Sequence, residues 1–269
     1  MSDRSLPRVA RAEIAIHVEG VEKQFATPEG PVHALARTDF LLSKGEFAVL
    51  LGPSGCGKTT MLRLMAGLER PSTGALHVGG RDLWHKGRRD DAAVANMGVV
   101  FQDANLFPWL TIQKNIALPL KLRGVRGAER KKRALDLCRL VGISGFEARW
   151  PRELSGGMRQ RASIARALSY DPEILLMDEP FGALDAMTRD TMNIELQRIW
   201  LATKKTIVLV THSIPEAVFL ADRIVLLTRR PGRIEEIVNV PFPRPRELGL
   251  QSTPEFQSIV GHLRQRLEH

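Results

Sequence analysis

The sequence predicts an α/β protein: a mainly parallel sheet covered on both faces, an antiparallel β-subdomain and an inserted helical subdomain. Three observations carry this. First, short unbroken apolar runs (Phe47–Leu51, Met97–Phe101, Ile174–Met177 and Thr206–Val210) alternate with helical patterns, and a strand without polar alternation is one buried on both faces. Second, 14–25 and 32–42 show apolar–polar alternation and turn residues, the pattern of antiparallel strands. Third, strand signals vanish between Gln102 and Ala167, so a helical insertion interrupts the α/β alternation there.

In chain order, FAVLL is a buried strand that runs into GPSGCGKTT and then a helix over Thr59–Ala66. Gly127–Val141 is helical, with Leu135, Cys138 and Val141 on one face, which makes Cys138 a core residue. After Asn239 the chain is proline-rich (PFPRPRELG) and then helical over Phe256–Leu267, a C-terminal extension. The expected division is a nucleotide-binding domain over 14–238, with a helical subdomain at about 103–167, followed by the extension 239–269. The closing Leu267-Glu268-His269 reads as the start of a histidine tag and is set aside.

Composition narrows the classes. With 269 residues, 43% apolar and 26% charged, the chain suits one large α/β domain. No apolar stretch approaches the roughly 18 residues of a membrane span, and MSDRSLPRVARAE lacks a signal-peptide core, so a cytoplasmic chain is expected. Two cysteines make neither a metal cluster nor a disulfide framework. The net charge of +9 has no aromatic-interleaved basic stripe to give it a nucleic-acid meaning, and the run Lys121–Arg133 reads as a solvated helix face.

The chemistry lies at strand ends. Gly52-Pro53-Ser54-Gly55-Cys56-Gly57-Lys58-Thr59 matches G-x-x-x-x-G-K-S/T between a strand and a helix. Its glycines let backbone N–H groups wrap a phosphate, Lys58 reaches the outer phosphates, and Thr59 offers a hydroxyl to Mg²⁺. Cys56 is filler at a variable position. Ile174–Pro180 (ILLMDEP) puts Asp178 at a strand end as a Mg²⁺ ligand, with Glu179 as general base toward water. His212 follows another buried strand and can bond a terminal phosphate; Gln102 ends a further one. A second helix start, Ser155-Gly156-Gly157, pairs a hydroxyl cap with two glycines, the makings of a second anion site.

The order phosphate loop, Gln102, LSGGMRQ, ILLMDEP, Ala183-Leu184-Asp185, His212 resembles that of ATP-binding-cassette (ABC) ATPases over about residues 14–238. The resemblance implies a P-loop NTPase (RecA-like) core whose cofactors are ATP and Mg²⁺. It adds Thr60 and Gln102 to the ATP contacts and Gln102 to the Mg²⁺ ligands. Phe25 matches the aromatic that stacks on adenine, with core packing as the alternative. The family dimerises head-to-tail, so Leu154, Ser155, Gly156, Gly157, Gln160 and Asp185 would face the partner's ATP.

A narrower resemblance, to ATPase subunits of bacterial nitrate/sulfonate/taurine-type importers, rests on Val99–Leu120 (VVFQDANLFPWLTIQKNIALPL), LSGGMRQRASIARAL, THSIPEAVFLADRIVLL and RRPGRI at Arg229–Ile234. Ser213 and Pro215 depart from it, since many relatives carry acidic residues there. It implies ATP-driven import of a small anion or organic solute at the cytoplasmic face of the inner membrane. The partners would be a second ATPase subunit (a copy or a paralogue), integral membrane permease subunits and, indirectly, a periplasmic solute-binding protein. Leu106, Phe107, Pro108 and Trp109 would meet a permease helix, or else pack inside the helical subdomain. A non-transport ABC ATPase acting on nucleic acid or ribosomes is the competing class. Such chains carry two cassettes, a coiled-coil insertion or a zinc module, none of which is present here. A P-loop kinase or GTPase leaves LSGGMRQ unexplained.

Overall fold

The computed structural model describes residues 13–268; His269 of the tag-like tripeptide and residues 1–12 of the stretch read for a signal peptide lie outside them. In chain order the elements are β1 (Ile14–Thr27), β2 (Gly30–Ser43), β3 (Phe47–Leu51), α1 (Lys58–Met65), β4 (Thr73–Val78), β5 (Arg81–Asp82), β6 (Trp84–His85), β7 (Arg88–Arg89), α2 (Asp91–Val94), β8 (Met97–Val100), α3 (Ile112–Leu122), α4 (Gly127–Leu140), α5 (Gly156–Leu168), β9 (Ile174–Asp178), α6 (Ala186–Thr203), β10 (Thr206–Thr211), α7 (Ile214–Leu220), β11 (Arg223–Leu227), β12 (Ile234–Asn239) and α8 (Pro254–Glu268).

The main sheet runs β12-β11-β3-β10-β9-β8, and its five inner-to-edge strands from β11 to β8 are parallel. A separate sheet, β2-β1-β4-β5, is antiparallel. Every residue of β3 and β10 is buried. The period of two divides β3 between two cores: Phe47, Val49 and Leu51 pack with the helical subdomain and α6–α8, while Ala48 and Leu50 pack with α1 and the antiparallel sheet. Because β3, β10, β9 and β8 are parallel neighbours, their C-terminal ends share one edge, and all the strand-end polar groups collect there.

Two expectations change. On α4 the buried stripe is Ala134, Leu137 and Cys138, continued by Val141, while Leu135 is half-buried, one helical step aside. Cys138 is core as expected, and burial pushes its thiol up to about 12. The segment after Asn239 is no loose appendage: Phe256, Val260 and Leu263 of α8 join the main core, and Leu267 packs against it. Arg246 is buried, its guanidinium donating to the carbonyls of Phe242, Val218, Phe219 and Ala221, so it caps the C-terminal end of α7. Gln197 of α6 holds the Arg246 backbone from both sides, at 2.7 and 2.8 Å. Burial lowers the Arg246 pKa to about 10. Among the described residues no helix is long and apolar enough to cross a membrane.

Candidate functional site

The phosphate loop joins β3 to α1. Gly57, the α1 N-cap, has φ +103, and a Cβ there would come within 2.7 Å of Leu35 and 2.8 Å of the Ala34 carbonyl, so only glycine fits. No side chain caps α1 and no acidic residue lies in its first turn, which leaves backbone N–H groups for an anion. Lys58 is 4% exposed, and its Nζ donates to the Gly52 and Pro53 carbonyls at 2.7 and 2.8 Å, holding the ammonium within the loop. These features fit the phosphates of a nucleotide.

A cleft of about 230 Å³ opens over the loop, lined by Phe25, Ala34, Ser54, Gly55, Gly57, Lys58, Thr59, Thr60, Glu179 and Arg230. Phe25 is half-buried and has the Lys23 ammonium 4.7 Å from its ring centroid, leaving an aromatic wall at one end. The Cys56 side chain does not reach this cleft. It is buried beneath the loop beside Gly52, where burial raises its thiol pKa and its Sγ lies 4.0 Å from the Lys58 ammonium, so it packs under the loop and helps hold Lys58.

Thr59 Oγ1 donates to Asp178 Oδ1 at 2.9 Å, joining the helix start to the end of β9. Burial raises the Asp178 pKa and the Thr59 hydrogen bond opposes that rise. Two hard oxygens, one on a carboxylate whose charge is costly to bury, suit a divalent cation beside the phosphates. Glu179 follows at φ +42, an uncommon conformation costing about 1–3 kcal/mol and held here by its N–H bond to the Val210 carbonyl. Its Oε2 lies 3.0 Å from His212 Nδ1. A Cβ on Gly182 would meet Glu179 Oε2 at 3.5 Å and Gln102 Nε2 at 3.6 Å, which shows those two side chains converging. Asp178, Glu179, Gln102 and His212 thus gather at one sheet edge.

The Ser155-Gly156-Gly157 helix start lies elsewhere. Ser155 caps α5 by accepting from the Met158 N–H at 3.3 Å, and Ser155 and Gly156 are exposed. Asp185 caps α6 by accepting from the Thr188 N–H at 3.0 Å, and hydrogen bonding from the Thr188 hydroxyl first, then from that N–H, holds its carboxyl below the ordinary value. The two starts touch: a Cβ on Gly157 would meet Thr188 at 3.3 Å, and one on Gly156 would meet Leu184 at 3.4 Å. None of these residues lines the phosphate-loop cleft. Leu154 and Gln160 turn inward instead of outward. Leu154 is core, and Gln160 is buried with Nε2 donating to the Phe101 carbonyl, so they support the helix start without presenting a face to a partner.

In the segment after Gln102, Trp109 is 67% exposed and its ring lies 5.4 Å from that of Phe107, while Pro108 is exposed and Leu106 packs against the core. Leu106 is therefore an anchor for the loop. Buried Asn115 fastens it too, accepting from the Phe107 N–H and donating to the carbonyls of Phe107, Leu110 and Thr111.

Sequence reading missed Asn115, Arg230 and Glu216. Arg230 sits on a hairpin pinned by Gly232, whose N–H bonds the Ala34 carbonyl and whose Cβ would lie 1.9 Å from the Cys56 carbonyl. Its signal was the Arg-Pro-Gly-Arg turn between two strands. Glu216 is buried behind His212, its carboxyl raised by burial and tempered by Thr211, and nothing in the local sequence distinguishes it from an exposed first-turn glutamate.

The ABC transporter family model matches residues 35–182. An uncharacterised ABC transporter ATP-binding protein of Methanocaldococcus jannaschii is 45% identical over 245 residues, 91% of this chain and 89% of its own length. The aliphatic sulfonates import ATP-binding protein SsuB of Bacillus licheniformis is 44% identical over 238 residues, 88% of each chain. Among solved structures, a dimeric post-hydrolysis state of the ATP-binding cassette MJ0796 bound to ADP and Pi aligns with TM-score 0.73 at 33% identity, over 85% of this chain and 100% of that one. On the family match, these identities and this shared architecture, the chain belongs to the ABC transporter family as an ATP-hydrolysing subunit that uses ATP and Mg²⁺.

Proposed function

We propose that this chain is the nucleotide-binding subunit of an importer for a small anion or organic solute of the nitrate/sulfonate/taurine kind. It works as a pair of ATPase subunits, two copies or a copy and a paralogue, peripheral at the cytoplasmic face of the plasma membrane. There it meets integral permease subunits that receive solute from a periplasmic binding protein. The observation that carries the reading is the separation of the Ser155–Gly156 helix start from the phosphate-loop cleft of the same chain. An exposed glycine-rich helix start that lies outside the nucleotide cleft of its own chain suits one half of a composite site. Support comes from the dimeric cassette with ADP and Pi and from relatives named for sulfonate import. The loop with exposed Pro108 and Trp109, backed by half-buried Phe107, is the surface offered to the permease, and 14–238 is the nucleotide-binding unit on which 239–268 acts as a brace.

In the closed pair, Lys58 and the α1 N–H groups hold the outer phosphates of one ATP, and Phe25 stacks on its base. Ser155, Gly156 and Gly157 of the facing copy complete the contact with the terminal phosphate, with Asp185 at the junction. Glu179 takes the proton of the attacking water, and His212, bonded to Glu179, orients that carboxylate and contacts the terminal phosphate. Thr59, Asp178 and Gln102 would hold Mg²⁺, which when bound neutralises phosphate charge. ATP touches both subunits only when they are closed, so its hydrolysis removes what holds them together.

Glu179→Gln tests this. MgATP binding is retained, turnover falls about 10²–10⁴-fold, and a dimer accumulates in gel filtration with ATP. A variant that turns over normally, or that stays monomeric with ATP, removes the composite-site reading.

A further inference from the structure

We propose that His17, Glu19 and His77 form a binding site for one divalent transition-metal ion of the zinc, cobalt or nickel kind, on the outer face of the antiparallel sheet and independent of the nucleotide site. The sheet register builds it. His17 of β1 stands directly opposite His77 of β4, and His77 stands opposite Asp82 of β5. Ile16 and Val18 turn into the core, so the period of two puts His17 and Glu19 together on the other face. The two imidazoles stack with centroids 5.3 Å apart and planes 27° apart. One donor atom from each of His17, Glu19 and His77 lies within 4.8 Å of the others.

The contacts of His77 point to a cation. Its Nδ1 lies 2.6 Å from Asp82 Oδ1 and its Nε2 lies 3.3 Å from Glu19 Oε2. A neutral imidazole has one N–H. With that proton on Nδ1 and donated to Asp82, Nε2 aims a lone pair at a carboxylate oxygen, an arrangement of two acceptors that calls for positive charge between them. Two ligand atoms each about 2.0–2.1 Å from a tetrahedral ion are about 3.3 Å apart, the separation seen here. Asp82 then plays the part of the outer carboxylate that fixes the tautomer and direction of a metal-bound histidine. Two imidazoles with one carboxylate favour zinc-like ions over Mg²⁺ or Ca²⁺, which take oxygen ligands. A second proton on His77 would satisfy both carboxylates without a metal, so the test must separate ion from proton.

The untagged chain is stripped with chelator, supplied with excess Mg²⁺ to saturate the hard-oxygen site at Thr59 and Asp178, and titrated with Co²⁺ at about pH 8. The expected result is one Co²⁺ per chain, with visible absorption of low-coordinate cobalt that Zn²⁺ displaces. His77→Asn and His17→Gln each abolish it, and Asp82→Asn weakens it about ten- to a hundredfold. Nucleotide binding stays unchanged in all three variants, which reports an intact fold. No Co²⁺ uptake under excess Mg²⁺, or uptake equal in wild type and both histidine variants, overturns the site and leaves the cluster to a proton.

Discussion

The starts of α1 and α5 are both built from glycine and a small polar residue, yet they have opposite surroundings. At α1 the cap is Gly57, no side chain satisfies the first-turn N–H groups, and a buried lysine reinforces their positive end. At α5 the Ser155 hydroxyl bonds the Met158 N–H, the nearby cation is the Arg159 guanidinium, which donates to the Leu154 carbonyl, and Ser155 and Gly156 are exposed while Gly157 is buried against Thr188 of α6. The first can hold phosphate unaided. The second has a satisfied cap, and in the proposed pair it would act on a phosphate presented by another chain. Under the proposed pairing, placing the two starts at different places in one chain would make nucleotide binding a property of the monomer and hydrolysis a property of the pair.

That contrast can be broken. The largest effect is expected from Lys58→Ala: loss of the buried ammonium lowers turnover about 10²–10³-fold and weakens ATP binding by the isolated chain, measured by fluorescent-nucleotide titration. If the isolated chain binds ATP as well without Lys58, the α1 site is not where the loop puts it. Ser155→Arg places a bulky cation at the α5 start. Binding of ATP to the monomer stays within about twofold, while ATP-driven dimerisation seen by light scattering is lost. Equal loss of monomer binding would mean that the two starts are not separable.

Two smaller changes sharpen the comparison by leaving the phosphate loop and the Ser155 cap themselves in place. Arg246→Ala leaves buried carbonyls without donors, and a cost of about 3 kcal/mol is expected in urea unfolding with no change in ATP affinity. Asp185→Ala removes the cap next to the α5 start. Because its folded pKa lies below the ordinary value of about 3.9, its contribution is present above that pH and lost as pH falls through the folded value. The variant therefore loses stability at neutral pH but closes on wild type in an acid titration followed by circular dichroism.

Much of the site was legible because its chemistry is local. Gly52–Thr59, Asp178–Glu179 and His212 each sit within a few residues of the buried strand that aims them, and a run such as FAVLL or TIVLVT betrays that strand without help from distant residues. For Arg230 only the turn was legible, since its place at the cleft depends on Gly232 meeting Ala34, Ala36 and the Cys56 carbonyl far away in sequence. Gln160 misled for the same reason: the motif shows it beside Ser155, and only the packing of α5 on the end of β8 turns it inward.

By itself the sequence determined which strands are buried on both faces, which turns carry the phosphate and carboxylate chemistry, and the order of those motifs. These follow from apolar periodicity, glycine geometry and the residue types a phosphate or a proton requires. The tertiary structure alone decided that the proline-rich C-terminal segment is a structural brace, that β1, β4 and β5 bring two histidines and two carboxylates together, and that the two anion-binding helix starts lie apart. Each of these depends on sheet register or on contacts between residues distant along the chain, and no local pattern encodes which strands become neighbours.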